Sequence, residues 1–131
     1  MTAQTSSAVA PILLIEDEPS VTAFLRAALE RHGYAVANAA SGAEGLEMLT
    51  ARKYSGVISD IRMPGAVNGA EVHAWIQKNR PELCARIILI SGDTANSETQ
   101  AFLAQSGTPC IEKPFRVQQL MTVVEKTFGK P

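Results

Sequence analysis

A chain of 131 residues, 46% hydrophobic and 19% charged with a formal net charge of -1, is long enough for one domain with its own core and leaves no room for a second. The near-neutral balance offers no electrostatic footprint for direct nucleic-acid or membrane binding, and no apolar run approaches the ~20 residues that a spanning helix requires. Cys84 and Cys110 stand in no CxxC or zinc-like spacing, so a reduced pair in a soluble cytoplasmic protein is expected rather than a disulfide.

Residues 1–10 are small and polar, lack the charged and apolar regions of a signal peptide, and read as a disordered leader before a domain over 11–131. Short apolar runs then alternate with helical patterns, which implies βα units. Ile12 to Ile15 is continuously apolar, as expected of a central parallel strand covered on both faces. Pro19 marks a first helical turn, and Val21, Leu25, Ala28 and Leu29 recur along one face of that helix. A second strand is expected near 34–38, with Ser41 and Glu44 at the start of the helix after it. The third strand, near 55–59, leads to Asp60, and Asn68 with Glu71 opens the next helix. The fourth, near 86–90, stops at Ser91 and is followed by a helix that Ser97 and Gln100 would open. The fifth, near 108–112, precedes Lys113, after which Val117, Leu120, Met121, Val124 and Phe128 repeat at helical spacing. Five strands each followed by a helix, joined by right-handed crossovers, favour a three-layer αβα sandwich.

The strand ends carry the chemistry. Parallel neighbours would bring Glu16 and Asp17, Asp60, Ser91 and Lys113 to one edge of the sheet, where open α/β sheets bind ligands. Converging carboxylates repel one another and must share protons or hold a cation. A hard divalent ion suits Asp17 and Asp60, with Glu16 acting directly or through water, because Mg²⁺ takes oxygen ligands and keeps several waters. A carboxylate can attack phosphorus to give an acyl phosphate. Asp60 is the expected nucleophile, since it stands alone at its strand end whereas Glu16 and Asp17 are adjacent. Ser91 can hydrogen-bond a phosphoryl oxygen, Gly92 leaves room beside it, and Lys113 supplies a mobile positive charge.

This ordered set, Glu16-Asp17, Asp60 followed by Met63-Pro64, Ser91-Gly92 and Lys113-Pro114-Phe115, resembles the receiver domain of two-component response regulators from about residue 11 to 128. The resemblance implies a flavodoxin-like fold with strand order 2-1-3-4-5. It also implies transfer of phosphate to Asp60 from a histidine kinase or a histidine phosphotransfer protein, with Mg²⁺ or Mn²⁺ held in part by the backbone carbonyl of Arg62. Autodephosphorylation follows from it too, as does a downstream protein partner on the fourth helix, fifth strand and fifth helix. The chain would be a stand-alone regulator or the receiver of a hybrid histidine kinase. Arg62 and Asp93 take positions that flank the phosphoryl mouth in receivers, and their opposite charges are expected to pair and slow hydrolysis. In three places the sequence departs from the family pattern: Glu16 replaces an aspartate, the loop from Met63 to Gly69 is one residue longer, and Cys110 replaces an aromatic residue. That last change removes the ring that commonly reports movement of the hydroxyl residue.

Two other functions fit parts of this pattern. A small Mg²⁺-dependent phosphatase with an aspartate nucleophile would carry Asp-x-Asp after its first strand, where this chain has Glu16-Asp17-Glu18-Pro19. An unphosphorylated interaction module needs none of the strand-end residues. Glu18 reads as a bias on the first helical turn, His32 as a charge near a helix end, His73 and Trp75 as packing or surface residues, and Phe115 as a core-closing or partner-facing ring.

Overall fold

The computed structural model describes residues 10–62, 65 and 67–131. Apart from Ala10, the expected leader lies outside the described residues, and so does the Met63-Pro64 pair. In chain order the elements are β1 (Ile12–Ile15), α1 (Pro19–Arg31), β2 (Val36–Ala39), α2 (Gly42–Ala51), β3 (Gly56–Asp60) and α3 (Gly69–Asn79). A 3-10 turn (Pro81–Leu83), β4 (Ile87–Ser91), α4 (Ser97–Ser106), β5 (Cys110–Glu112) and α5 (Val117–Phe128) complete them. The five strands are parallel in the order β2-β1-β3-β4-β5.

Continuous apolar strands divide their side chains between two layers, because successive residues point to opposite faces. Ile12, Leu14, Ile58, Ile88 and Ile90 pack with Leu25 and Leu29 of α1 and Leu120, Val124 and Phe128 of α5. Leu13, Ile15, Val57, Ile87 and Leu89 pack with Leu49 of α2 and Val72 and Ile76 of α3, with Phe102 and Leu103 of α4 at the margin. Trp75 is a packing residue of this second layer. His73 is buried, with Nε2 3.0 Å from Thr108 Oγ1 and its ring edge-on to Phe102.

Local chemistry sets the element ends. Ser41 caps α2 by accepting the Glu44 N–H, and Asn68 with Glu71 forms a reciprocal capping box on α3. Beyond one-residue shifts of β3 and β4, three element starts differ from the sequence expectation. β2 begins at Val36 rather than 34, because Gly33, at φ 93°, and Tyr34 still send their N–H groups back to Glu30 and Leu29 of α1. β5 begins at Cys110 rather than 108; Thr108 is occupied with His73 and Ser106, and Pro109 has no N–H to give. The α4 cap is Asn96 rather than Ser97, its Oδ1 accepting the N–H groups of Glu98 and Thr99 at 2.9 and 3.1 Å.

Register aligns the strand ends. Ile15 pairs with Ser59, Asp60 with Ile90, and Ser91 with Glu112. Glu16 and Asp60 are therefore level neighbours on adjacent strands, with Ser91 one residue further along the next. The Lys113 N–H donates to Ser91 O at 2.8 Å and extends the ladder to the lysine. Behind Asp60 the chain turns back tightly: Gly69 N–H donates to Ile61 O at 2.9 Å, and a Cβ on Gly69 would lie 2.4 Å from Asp60 O. Only glycine lets α3 start so close to the end of β3.

Candidate functional site

The structure brings Glu16, Asp17 and Asp60 together, with one carboxylate oxygen from each within 4.8 Å of the others. Glu16 and Asp60 are buried and Asp17 is half-buried. Glu16 Oε2 accepts the Glu18 N–H at 3.1 Å, while Asp60 Oδ1 accepts the Arg62 N–H at 3.2 Å. Lys113 Nζ donates to Asp60 Oδ2 at 2.8 Å and stands 3.4 Å from both Glu16 Oε1 and Glu18 Oε1. The contact with Glu16 is an ion pair without hydrogen-bond alignment, so Oε1 of this buried carboxylate accepts no hydrogen bond among the described residues.

The protonation equilibria follow from these contacts. Burial pushes the Glu16 carboxyl up to about 7. The Glu18 N–H and the Lys113 ammonium oppose that rise, and the charge of Asp60 adds to it. For Lys113 burial alone would lower the ammonium, but the hydrogen bond and charge of Asp60, joined by Glu16, outweigh it and hold the pKa up to about 12. Burial raises the Cys110 thiol, with the charges of Glu112 and Asp60 acting in the same direction, so it is neutral and not an activated nucleophile.

The acidic pocket fits a hard divalent cation. It offers carboxylate oxygens from three residues, no nitrogen or sulfur donor, and a buried oxygen on Glu16 that lacks a hydrogen-bond partner. Such a donor set suits Mg²⁺ or Mn²⁺ rather than zinc or copper. One ammonium close to three carboxylates leaves the pocket short of positive charge.

Other expected residues fall around this centre. Ser91 is buried at the end of β4, and its Oγ accepts the Asp93 N–H at 3.0 Å. Gly92 is not sterically demanded: a Cβ there would meet Lys113 Cβ and Cδ at ordinary distances of 3.7 and 3.8 Å. What the glycine does is leave that side of the lysine stem uncovered. Arg62 Nη1 lies 2.9 Å from Asp93 Oδ2. Cys110 is half-buried, packed at the margin of the layer that holds Leu103 and Phe102. Phe115 packs on Phe24, ring centroids 5.7 Å apart, beside the layer of α1 and α5. His32 Nδ1 lies 2.8 Å from Ala28 O at the end of α1, away from the acidic centre.

Glu18 is the residue whose place sequence reasoning missed. Its reach to Lys113 depends on how α1 starts against β5, a contact 95 residues apart in the chain. The signal available beforehand was its unsuitability as a cap, since glutamate is not among the side chains favoured at that position.

Residues 12–125 match the family described as the response regulator receiver domain. The chain is 32% identical over 115 residues to the response regulator receiver protein CpdR of Brucella abortus, spanning 88% of this chain and 93% of that protein. It is 33% identical to the transcriptional regulatory protein GlrR of Escherichia coli over 90% of its own length, but spans only 27% of GlrR. Among solved structures, the response regulator TrrA of Thermotoga maritima in complex with Mg(2+)-BeF superposes with a TM-score of 0.78. The two share 31% identity over 91% of this chain and 99% of the other. The chain belongs to the response regulator receiver domain family, the signal-transducing modules of two-component systems.

The raised Glu16 carboxyl links stability to pH. Folded Glu16 holds its proton up to about pH 7, whereas the ordinary carboxyl releases it near 4.5. This group therefore favours folding at and below pH 4.5, and that contribution is lost as pH rises through about 7. Glu16→Gln cannot ionise and is expected to stabilise the metal-free protein at pH 8 by on the order of 1–3 kcal/mol, a gain that disappears toward pH 4.5. Urea unfolding at the two pH values measures this; an equal effect at both would contradict it.

Proposed function

We propose that this domain accepts a phosphoryl group on Asp60 from a phosphohistidine of a histidine kinase or a histidine phosphotransfer protein. The observation that carries the reading is the Asp60 carboxylate, buried at the end of β3 with Lys113 Nζ 2.8 Å from one oxygen and the carboxylates of Glu16 and Asp17 beside it. In the transfer an Asp60 oxygen bonds to phosphorus while the bond from phosphorus to the imidazole nitrogen breaks, its electron pair leaving on the nitrogen. Catalysis of this kind is mostly positioning and neutralisation of charge on the phosphoryl oxygens. Asp17, Asp60 and the backbone carbonyl of Arg62, with Glu16 direct or through water, would hold Mg²⁺ or Mn²⁺, which would supply part of that positive charge. Lys113 gives the rest, and Ser91 and Gly92 receive a phosphoryl oxygen beside it.

The phosphorylated state ends by hydrolysis, which the Arg62–Asp93 pair slows. Water attack at phosphorus breaks the bond to the Asp60 oxygen, regenerating the carboxylate and releasing inorganic phosphate, and the Arg62–Asp93 pair covers one side of the mouth. Output would pass to a protein partner through α4, β5 and α5. Of the ten residues of α4 only Thr99 is buried, so this helix is the least firmly seated on the sheet and the best placed to shift. With Cys110 in place of a ring, movement of the loop and helix carries the signal. A cytoplasmic setting accords with two free cysteines, and no helix among the described residues is long and apolar enough to cross a membrane.

Acetyl phosphate with Mg²⁺ is expected to add one phosphoryl group to the wild type and none to Asp60→Asn. Asp17→Asn should lose labelling and Mg²⁺ affinity together, each by about tenfold or more. Intact-mass analysis and a Mg²⁺ titration read both; equal labelling of Asp60→Asn would remove Asp60 from the role. Arg62→Ala should shorten the phosphorylated lifetime by only about two- to threefold, because an exposed pair contributes ~0–1 kcal/mol. A lifetime that stays the same or lengthens would count against shielding.

A further inference from the structure

Glu18 stands at the mouth of the site without a role in the phosphoacceptor reading. It is the N-cap residue of α1, with φ -94° and ψ 115°, yet its side chain caps nothing. An N-cap side chain ordinarily accepts an N–H of the first turn; this one points to Lys113 instead, Oε1 to Nζ 3.4 Å. Its backbone is constrained on both sides. The Glu18 N–H is held by Glu16 Oε2 at 3.1 Å, and Pro19 fixes the first helical residue. The carboxylate is thus presented at the lysine by a rigid turn, although its side chain is 59% exposed. Beside the pair opens a groove of about 560 Å³ lined by Glu18, Gly92, Lys113 and Phe115.

We propose that Glu18 is a specificity-determining residue of the phosphoacceptor site, repelling freely diffusing dianionic phosphodonors and keeping Lys113 partly engaged until a docked protein donor arrives. This rests on the phosphoacceptor reading and goes beyond it by assigning the choice of donor. An incoming dianion meets Glu18 in addition to Glu16, Asp17 and Asp60, and the ammonium it needs is already shared among three carboxylates. Like charge at a site entrance lowers the local concentration and on-rate of an anionic ligand. A protein donor bound through other contacts does not depend on that steering. Because Glu18 is exposed, its field is screened over roughly 8–10 Å at moderate ionic strength, which gives the effect a salt signature that a structural role lacks.

The test compares initial rates of Asp60 labelling by acetyl phosphate, a dianion at neutral pH, and by the less charged phosphoramidate, at saturating Mg²⁺. Glu18→Gln should accelerate acetyl phosphate labelling about three- to tenfold at low salt, with the advantage falling below about twofold near 0.5 M salt. The acceleration should be smaller for phosphoramidate, and Glu18→Asp, which keeps the charge, should stay near the wild-type rate. Equal rates in wild type and Glu18→Gln, or an acceleration indifferent to salt and donor charge, would overturn the assignment while leaving Asp60 as acceptor. Absence of labelling at Asp60 in the wild type would overturn both readings.

Discussion

Lys113 is the cation on which the carboxyl edge of this sheet depends. Its ammonium lies 2.8 Å from Asp60, 3.4 Å from Glu16 and 3.4 Å from Glu18, and without it two buried carboxylates would face each other unpaired. A buried charge stripped of its partner costs several kcal/mol. Lys113 is not held by its side chain alone. Its backbone N–H continues the β4–β5 ladder to Ser91 O, so the base of the lysine is fixed while its ammonium reaches three carboxylates.

The sheet makes that arrangement tolerable. Leu13, Leu14, Ile15, Ile88 and Leu89 are fully buried between the two helical layers, and burial of such side chains gives roughly 1.5–3 kcal/mol each. Stability is concentrated in the strands, and the buried charge of the site gathers at and just beyond their carboxyl ends. Glu16 shows the consequence most plainly: the burial that aligns it with Asp60 also raises its carboxyl to about 7. The same residue leaves one buried oxygen without a hydrogen-bond partner. The pocket is held short of positive charge by the fold itself, and this shortage suits it to a divalent cation.

Much of this was legible in the sequence, for physical reasons. Continuous apolar runs in Ile12 to Ile15 and Ile87 to Ile90 identify doubly covered parallel strands, and the order β2-β1-β3-β4-β5 agrees with the family resemblance. Glu16, Asp17, Asp60 and Lys113 were recognisable because each ends or follows a strand, and parallel strands deliver their ends to one edge. Boundaries were less legible: Asn96 took the α4 cap from Ser97, and Gly33 and Tyr34 remained with α1 instead of opening β2. These outcomes turn on one or two local hydrogen bonds that periodicity does not encode. At Gly92 the sequence reads as room beside Ser91, and what a Cβ there would meet, Lys113 Cβ and Cδ at ordinary contact distance, only the structure gives. Glu18 illustrates a further limit, because a long-range ion pair between a helix start and the residue just after the fifth strand has no local signature.

Urea unfolding of Lys113→Met at pH 8, with and without Mg²⁺, tests most directly whether this one ammonium makes the charged edge compatible with the fold. Methionine keeps much of the apolar stem and removes the charge. The metal-free variant should unfold at a clearly lower urea concentration than the wild type, and Mg²⁺ should recover much of the difference by supplying positive charge to the same carboxylates. A variant as stable as the wild type in the absence of Mg²⁺ would contradict the account.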